Sequence, residues 1–292
     1  MSNDLAVKIG FIGAGRLGKT MAMGWQRAGL DVARVASRSA SSAADFVARV
    51  PGCSAASIEE VIAHCGIVFI TTGDDAIAPV AASAPWRAGM AVAHCSGATE
   101  VAALEPARAR GAAIGALHPI ASFGDPDTAL ASLAGCTASI EADEPLAAQL
   151  EAMARVLGCN TIRLPPGCRG VYHAAGGFAS QFVNVLLHEA VKLWRGFGAT
   201  DEQAIRALLP LLKSTVAAIE RSGPIQSLPG PVSRGDLGTV RKHVEHLNKI
   251  GAIDPYRDLA LRSVDLALAK GSIDVRRGEE IRAALLQPSH QA

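Results

Sequence analysis

The sequence predicts an α/β chain in two domains: a doubly wound parallel sheet over residues 1–165, then an all-helical domain over 166–292. Three observations carry this reading. Short β-branched runs alternate with Ala-rich helical stretches through the first half. Beyond Pro165-Pro166-Gly167 no alternating apolar–polar run appears, and long helical patterns take over. A length of 292 residues exceeds one typical domain and suits two.

The elements follow in order. The apolar run 7–12 predicts the first strand, with a helix over 15–28 behind it. Residues 31–36 and 39–49 repeat the pattern, and 66–71 is a third strand of strongly β-forming residues. Asp74 and Asp75 offer N-cap oxygens to the helix that follows. Strands over 90–94 and 112–117 are separated by a helix over 99–110. A hairpin-like tail, 136–140 and 160–164, flanks a helix over 144–157. In the second domain the longest helix is 171–197, ending at Gly196 and Gly198, residues suited to a helix C-terminus. Further helices are expected over 201–221, 239–250, 255–270 and 275–286, with a Pro- and Gly-rich loop at 222–238.

Composition excludes several function classes. Lys and Arg number 28 against 27 Asp and Glu, a net charge of +1 spread along the chain, so no basic face for nucleic acid is expected. No apolar run reaches the length of a membrane span. The start, Met1-Ser2-Asn3-Asp4, lacks the basic region of a secretory signal. Cys53, Cys65, Cys95, Cys136, Cys159 and Cys168 form no CxxC pair and have no matching His spacing. They read as reduced thiols of a cytoplasmic protein, with no metal site.

The sharpest motif is Lys8-Ile9-Gly10-Phe11-Ile12-Gly13-Ala14-Gly15-Arg16-Leu17-Gly18, a GxGxxG pattern that follows an apolar strand and opens a helix. That context gives the glycines their mechanics. Gly13 permits the tight turn, Gly15 lets backbone approach a pyrophosphate, and Gly18 lets helix pack on strand. The helix N-terminus supplies N–H groups and a favourable dipole for the phosphates. The competing reading is a tight strand–helix turn that holds nothing. A Rossmann domain is the expectation.

The second strand selects the dinucleotide. It ends Val35-Ala36-Ser37-Arg38-Ser39, without the acid that takes ribose hydroxyls in NAD and FAD sites. Ser37, Arg38 and Ser39 can instead bind a 2′-phosphate. One Arg–phosphate contact is worth roughly 1.5–3 kcal/mol, so NADP is favoured over NAD, and FAD is disfavoured. Arg38 as a plain solvated charge is the alternative. Arg16 and Lys19 stand beside the phosphate turn. Thr72 and Asp75, in Thr71-Thr72-Gly73-Asp74-Asp75, lie at the carboxyl edge of the sheet and are expected at the ribose or nicotinamide end, Asp75 equally as a helix cap.

Further segments carry a family resemblance: His94-Cys95-Ser96-Gly97-Ala98, Leu117-His118-Pro119 before Ser122-Phe123, Tyr172-His173-Ala174-Ala175, and Gly230-Pro231-Val232-Ser233-Arg234-Gly235-Asp236. With the Gly-rich opening they resemble, over nearly the whole chain, bacterial Rossmann-like proteins with a C-terminal domain of unknown function. Those proteins are described as NADP- or deazaflavin-dependent oxidoreductase-like, within the 6-phosphogluconate dehydrogenase-like superfamily. Pyrroline-5-carboxylate reductase, prephenate dehydrogenase and the β-hydroxyacid dehydrogenases are more distant relatives. The resemblance implies a nicotinamide cofactor, an active site between the domains, an all-α C-terminal domain of 6-phosphogluconate dehydrogenase-like type, and a homodimer built partly from that domain. The hydroxyacid dehydrogenases carry a catalytic Lys, with Asn one turn later, where this chain has His173 and Gly177. Their mechanism does not transfer directly.

Hydride transfer belongs to the cofactor, and the protein must orient the substrate and manage one proton. His is the side chain suited to that near neutral pH. His173, Gly177, Ser180 and Asn184 recur at steps of three or four residues, one face of the long helix. They line a cleft or bond neighbouring helices. His94 and Ser96 end one strand and His118 the next, where each His either serves the site or closes a loop. The expected order for the proton-handling group is His173, His118, then His94, with Ser96 an orienting donor. His94, Asn184 and Arg234 are expected to touch substrate. Arg234 binds an anionic group or pairs with Asp236, and His243 and His246 read as surface or interface residues. The reading is an NADP-dependent oxidoreductase acting on a C=O or C=N bond of a small polar metabolite. The alternatives are a non-catalytic NADP-binding sensor and an NADPH–deazaflavin oxidoreductase.

Overall fold

A computed structural model describes residues 6–287. Residues 1–4, read above as lacking a secretory signal, lie outside them. Within the described residues the strands are β1 (Ile9–Ile12), β2 (Val32–Ala36), β3 (Ser54–Ala55), β4 (Ile67–Ile70), β5 (Ala91–His94), β6 (Ala113–Pro119), β7 (Thr137–Ala142) and β8 (Asn160–Arg163). They form one sheet in the order β3-β2-β1-β4-β5-β6-β7-β8, parallel except where β6 meets β7. The order reverses between β1 and β4, the switch point where such sheets open a crevice at the strand carboxyl ends. Register brings those ends level: Ile12 pairs with both Ala36 and Ile70, and Ile70 with His94. The residues just beyond, Gly13, Ser37, Thr71 and Cys95, therefore share one edge.

The helices that cover the sheet are α1 (Arg16–Arg27), α2 (Ala40–Arg49), α3 (Ile58–His64), α4 (Ile77–Ser83), α5 (Glu105–Arg108), α6 (Pro126–Leu133) and α7 (Leu146–Val156). β1, β4 and β5 are buried throughout, which is why they read as unbroken apolar runs. Alternation along β1 divides two cores. Ile9 and Phe11 join Trp25, Phe46 and Phe69 on one face, while Ile12 joins Val61, Ile62 and Ile70 on the other. Trp25 completes its burial by donating Nε1–H to Met153 O at 2.9 Å.

The remaining helices are α8 (Arg169–Ala179), α9 (Gln181–Arg195), α10 (Asp201–Gln226), α11 (Gly230–Ser233), α12 (Leu237–Lys249), α13 (Ile253–Lys270) and α14 (Val275–Leu286). The chain packs as two compact units, Met1–Val183 and Asn184–Ala292, dividing inside α9. The boundary expected at residue 165 thus falls within the first unit, which also contains α8. The second unit has its own core, built on Val240, Val244, Val264, Ile281 and Leu285.

Several expectations are corrected. The tail is no hairpin: β7 and β8 run parallel and are joined through α7, because reversing direction twice needs a crossover longer than a turn. The helix 171–197 breaks at Ser180, whose φ of −129° and ψ of −85° leave the helical region. The stripe of His173, Gly177, Ser180 and Asn184 is therefore not one helix face. Asp74 and Asp75 form a 3₁₀ turn with Ala76 and cap no helix through their side chains. The helix over 99–110 is a 3₁₀ turn, Val101–Leu104, leading into the short α5. The loop 222–238 is shorter, since α10 continues across a kink at Gly223 and α11 follows.

Candidate functional site

The site begins at the turn after β1. Gly13 adopts a φ of +110°, and a Cβ there would lie 2.6 Å from the backbone carbon of Thr71. Thr71 Oγ1 donates to Gly13 O at 2.7 Å, tying the turn to the end of β4. Gly18 is buried against the same residue, where a Cβ would meet Thr71 Oγ1 at 2.6 Å. Gly15 differs. A Cβ on it would find only Thr71 O, at 3.5 Å, so protein packing does not require glycine there. Gly15 is the N-cap of α1 and makes no side-chain cap, which leaves the first N–H groups of a 12-residue helix available to an anion.

A cleft of about 600 Å³ opens at this turn. Gly13, Ala14 and Gly15 line one part, Ser37, Arg38, Ser39 and Ser42 another, with Thr72 and Gly73 beside the turn. Ile58, Pro79 and Val80 add apolar wall. Ser39 Oγ accepts the Ser42 N–H and so caps α2, and Ser37 Oγ accepts the Ser39 N–H at 3.3 Å. Arg38 is exposed. Arg16, Leu17, Gly18 and Asp75 are not among the lining residues: Leu17 packs on the core, while Arg16 and Asp75 face solvent. The Lys19 ammonium is held by Asp45 of α2.

A second cluster lies past the ends of β5 and β6. His118 Nδ1 is 3.0 Å from the Tyr172 hydroxyl, which also lies 3.3 Å from His118 O. The rings of His118 and Tyr172 meet edge-on at 5.7 Å, and those of His118 and His173 at 5.9 Å. Gly97 forms the floor between them, since a Cβ there would lie 2.5 Å from His173 Cδ2 and 2.8 Å from His118 Cε1. Burial, then the His173 and Arg169 charges, push the His118 imidazole down to about 4. Burial raises the Tyr172 hydroxyl above its ordinary value. At neutral pH the pair is an uncharged imidazole beside a protonated phenol. His173 is exposed at the edge of the cluster.

His94 and Ser96 take structural places. His94 is wholly buried, accepts the Ser96 N–H on Nδ1 at 3.3 Å, and is driven by burial and then Arg169 down to about 3. Its expected contact with substrate is corrected: no surface of it is reachable. Ser96 is 6% exposed, and its Oγ accepts the N–H groups of Ala98 and Thr99, closing the turn that carries Gly97. Both bonds use the oxygen as an acceptor and leave the hydroxyl proton free to donate. Asn184 and Arg234 belong to the second unit. Arg234 is exposed, and Asp236 caps α12 by accepting from Thr239 N and Oγ1 at 3.0 and 2.7 Å. Among the described residues no Arg234–Asp236 ion pair forms. His243 Nδ1 meets the Tyr256 hydroxyl at 2.8 Å, and His246 Nδ1 meets Lys242 O at 2.7 Å.

Sequence reasoning missed the group that ties the cluster together. Arg169, fully buried, donates Nε–H to Glu141 Oε2 at 2.6 Å and Nη1–H to Ser96 O at 2.8 Å. Glu100 accepts the backbone N–H groups of Gly167 and Arg169 at 3.1 and 3.2 Å. Glu141 did leave a signal, as a carboxylate inside the otherwise apolar second half of β7. Tyr172 stood beside His173 in a quoted segment, but its partner lies 54 residues away.

Residues 3–119 match the Rossmann-like domain and residues 136–263 match a domain of unknown function, DUF2520. No curated protein matches the sequence. The fold is similar to that of a Thermotoga maritima protein, at 23% identity and a TM-score of 0.75, covering 90% of this chain and 99% of that one. It is also similar to a Bacteroides fragilis protein described as a candidate NADP oxidoreductase, at 21% identity and a TM-score of 0.69, covering 93% and 100%. An imine reductase from Aspergillus terreus, in complex with NADPH4 and a dibenzazepine, has 19% identity and a TM-score of 0.65, covering 95% and 99%. The chain thus joins a segment matching the Rossmann-like domain to one matching DUF2520, the pairing its motifs resemble.

Proposed function

We propose that the chain is an NADPH-dependent reductase of a C=N or C=O bond in a small polar metabolite. One observation carries this: the cleft that starts at the uncapped N-terminus of α1 and reaches Ser37-Arg38-Ser39 without meeting a carboxylate on that strand end. The fit to a dinucleotide rests on Gly15, the one motif glycine whose missing side chain the protein itself does not need. The α1 N–H groups would hold the pyrophosphate, and Arg38 with Ser37 and Ser39 the 2′-phosphate. Ile58 and Val80 offer an apolar slot for the adenine. When bound, the nicotinamide supplies hydride. Support for NADPH also comes from the Bacteroides and Aspergillus proteins of similar fold.

The chain's own task is the proton. Tyr172 Oη holds one at neutral pH, and the neutral His118 Nδ1 beside it orients the hydroxyl and can pass a replacement. Reduction of a C=N bond takes one hydride and one proton, and its nitrogen, more basic than a carbonyl oxygen, can draw that proton from such a weak acid, which fits a site with His173 where hydroxyacid dehydrogenases carry Lys. His173, exposed and touching the same floor at Gly97, would contact the substrate.

The protein acts as a homodimer in this reading. Of the side chains of α10 only Ala204 is buried, whereas Ile205, Leu209, Leu211, Val216 and Ile219 are exposed. That much exposed apolar helix surface is unusual for a monomer, and a second copy would cover it. Sedimentation giving one species of a single chain's mass would contradict the dimer. The catalytic reading is tested by following NADPH oxidation against a panel of cyclic imines, ketones and oxo acids. Turnover with one of these that falls at least tenfold in Tyr172→Phe supports it. No turnover across the panel by protein that binds NADPH tightly would overturn it.

A further inference from the structure

We propose that Arg169 is a positioning residue, whose buried guanidinium locks the start of α8 to the sheet so that Tyr172 and His173 meet His118 over Gly97. This rests on the reading of Tyr172 and His118 as the proton-handling pair. Arg169 is the first residue of α8, and Tyr172 and His173 follow within about one turn. Whatever fixes Arg169 therefore fixes the two rings that α8 brings to the site.

Four bonds do the fixing, to three separate parts of the fold. The side chain reaches Glu141 on β7 and Ser96 O past the end of β5, and the backbone N–H groups of Gly167 and Arg169 end on the Glu100 carboxylate. Glu141 pairs across the ladder with Ala116, two residues before His118, so the guanidinium is braced against the strand that presents His118. Ser96 immediately precedes Gly97, the floor on which the His118 and His173 rings rest. One side chain thus ties together the helix, the floor and the strand neighbour of the third ring. A solvent-facing ion pair could not do this, because it would trade partners with water. Arg169 is 0% exposed and Glu141 9%, so water does not compete for the Nε and Nη1 bonds, while Nη2 is buried with no hydrogen-bond partner.

The same placement has an electrostatic consequence. The guanidinium carries a permanent positive charge within range of both His94 and His118 and disfavours their protonation. The other groups acting on His118 are His173, also unfavourable to its charge, and Asp74, which favours it. Removing Arg169 therefore shifts the His118 titration upward, and a residue that merely filled space would leave it alone.

The test uses the full-length chain and two variants. Arg169→Met with Glu141→Met removes charge and fork together and leaves no lone buried ion. Arg169→Lys keeps the charge and loses the fork. His118 is titrated through its Cε1 proton by NMR, assigned with His118→Gln, and kcat and KM are measured on the best substrate from the panel. The double variant is expected to raise the His118 midpoint above its wild-type position near 4. Arg169→Lys is expected to leave that midpoint within half a unit and to lower kcat at least tenfold, with KM for NADPH unchanged. A double variant with the wild-type midpoint, or Arg169→Lys with wild-type kcat, overturns the proposal. Should the double variant not fold, the kcat of Arg169→Lys decides alone. Should the wild type turn over nothing on the panel, the catalytic reading fails, and the NMR titration still decides whether Arg169 sets the state of His118.

Discussion

The two glycines at the centre of the first turn should respond to the same substitution in opposite ways. At Gly13 an alanine places its Cβ 2.6 Å from the carbon and 2.7 Å from the oxygen of Thr71, both backbone atoms of β4's end, at a φ of +110°. Neither neighbour can rotate away. The disfavoured backbone costs about 1–2 kcal/mol, and forced overpacking adds about 1–3 kcal/mol. The sum, about 2–5 kcal/mol, corresponds to a Tm drop on the order of 10 °C in a unit of this size. At Gly15 the backbone is extended (φ −74°, ψ 176°), and an added Cβ meets one atom at an ordinary 3.5 Å. Stability should fall by less than about 1 kcal/mol, the loss expected for Ala at an N-cap. The same methyl stands where the pyrophosphate must approach, so NADPH affinity should fall at least about tenfold, or 1.4 kcal/mol. Urea unfolding and isothermal calorimetry read the two effects separately. A Gly15→Ala protein that binds NADPH as tightly as wild type would refute the placement of the phosphates. A Gly13→Ala protein as stable as wild type would refute the geometry of the turn.

Other outcomes follow from the same geometry. Arg38→Ala should weaken NADPH binding by about 1.5–3 kcal/mol and leave NADH binding unchanged, a contrast calorimetry measures directly; equal loss for both would show that Arg38 does not read the 2′-phosphate. Gly97→Ala, forced against His118 and His173, should cut kcat at least about tenfold with little change in NADPH affinity, and an unchanged kcat would remove Gly97 from the site. His94 and His118 stay neutral in the folded chain down to about 3 and 4, against an ordinary 6.5. The unfolded chain therefore binds more protons between those values, so their contribution is complete above pH 6.5 and is lost as the pH falls through that window. Discounting for the partial exposure of His118, stability should fall by on the order of 4 kcal/mol between pH 7 and pH 4.5. Urea midpoints across that range measure it, and a flat profile would contradict the buried neutral state.

What the sequence made legible divides along physical lines. β1, β4 and β5 are buried on both faces, so each appears as an apolar run bounded by polar or glycine residues. α12, α13 and α14 lie within two residues of expectation because their apolar spacing and flanking glycines are local signals. The phosphate turn is also local: a strand, the three glycines of the GxGxxG pattern and the start of a helix within eleven residues. α3 and α6 went unread because seven or eight residues hold barely two turns of periodicity. Even so, the Ser57–Glu60 capping box and the Asp125-Pro126 start were present in the sequence. The break at Ser180 had only a weak mark, the Gly176-Gly177 pair just upstream, which the helical pattern on either side obscured. The cluster proposed to handle the proton was half legible. His118 and His173 were chosen for their chemistry, but the contact with Tyr172 and the bracing by Glu141, Ser96 and Glu100 join residues 28 to 73 positions apart. His94 shows the reverse: a chemically suitable residue that burial turned into structure.

The most direct measurement is a pair of calorimetric titrations of the wild-type chain, one with NADPH and one with NADH, at a single ionic strength. A dinucleotide seated between the Gly13–Gly15 turn and Arg38 requires one site per chain, with NADPH held at least about tenfold more tightly. No heat with either nucleotide, or equal affinity for both, would contradict the account.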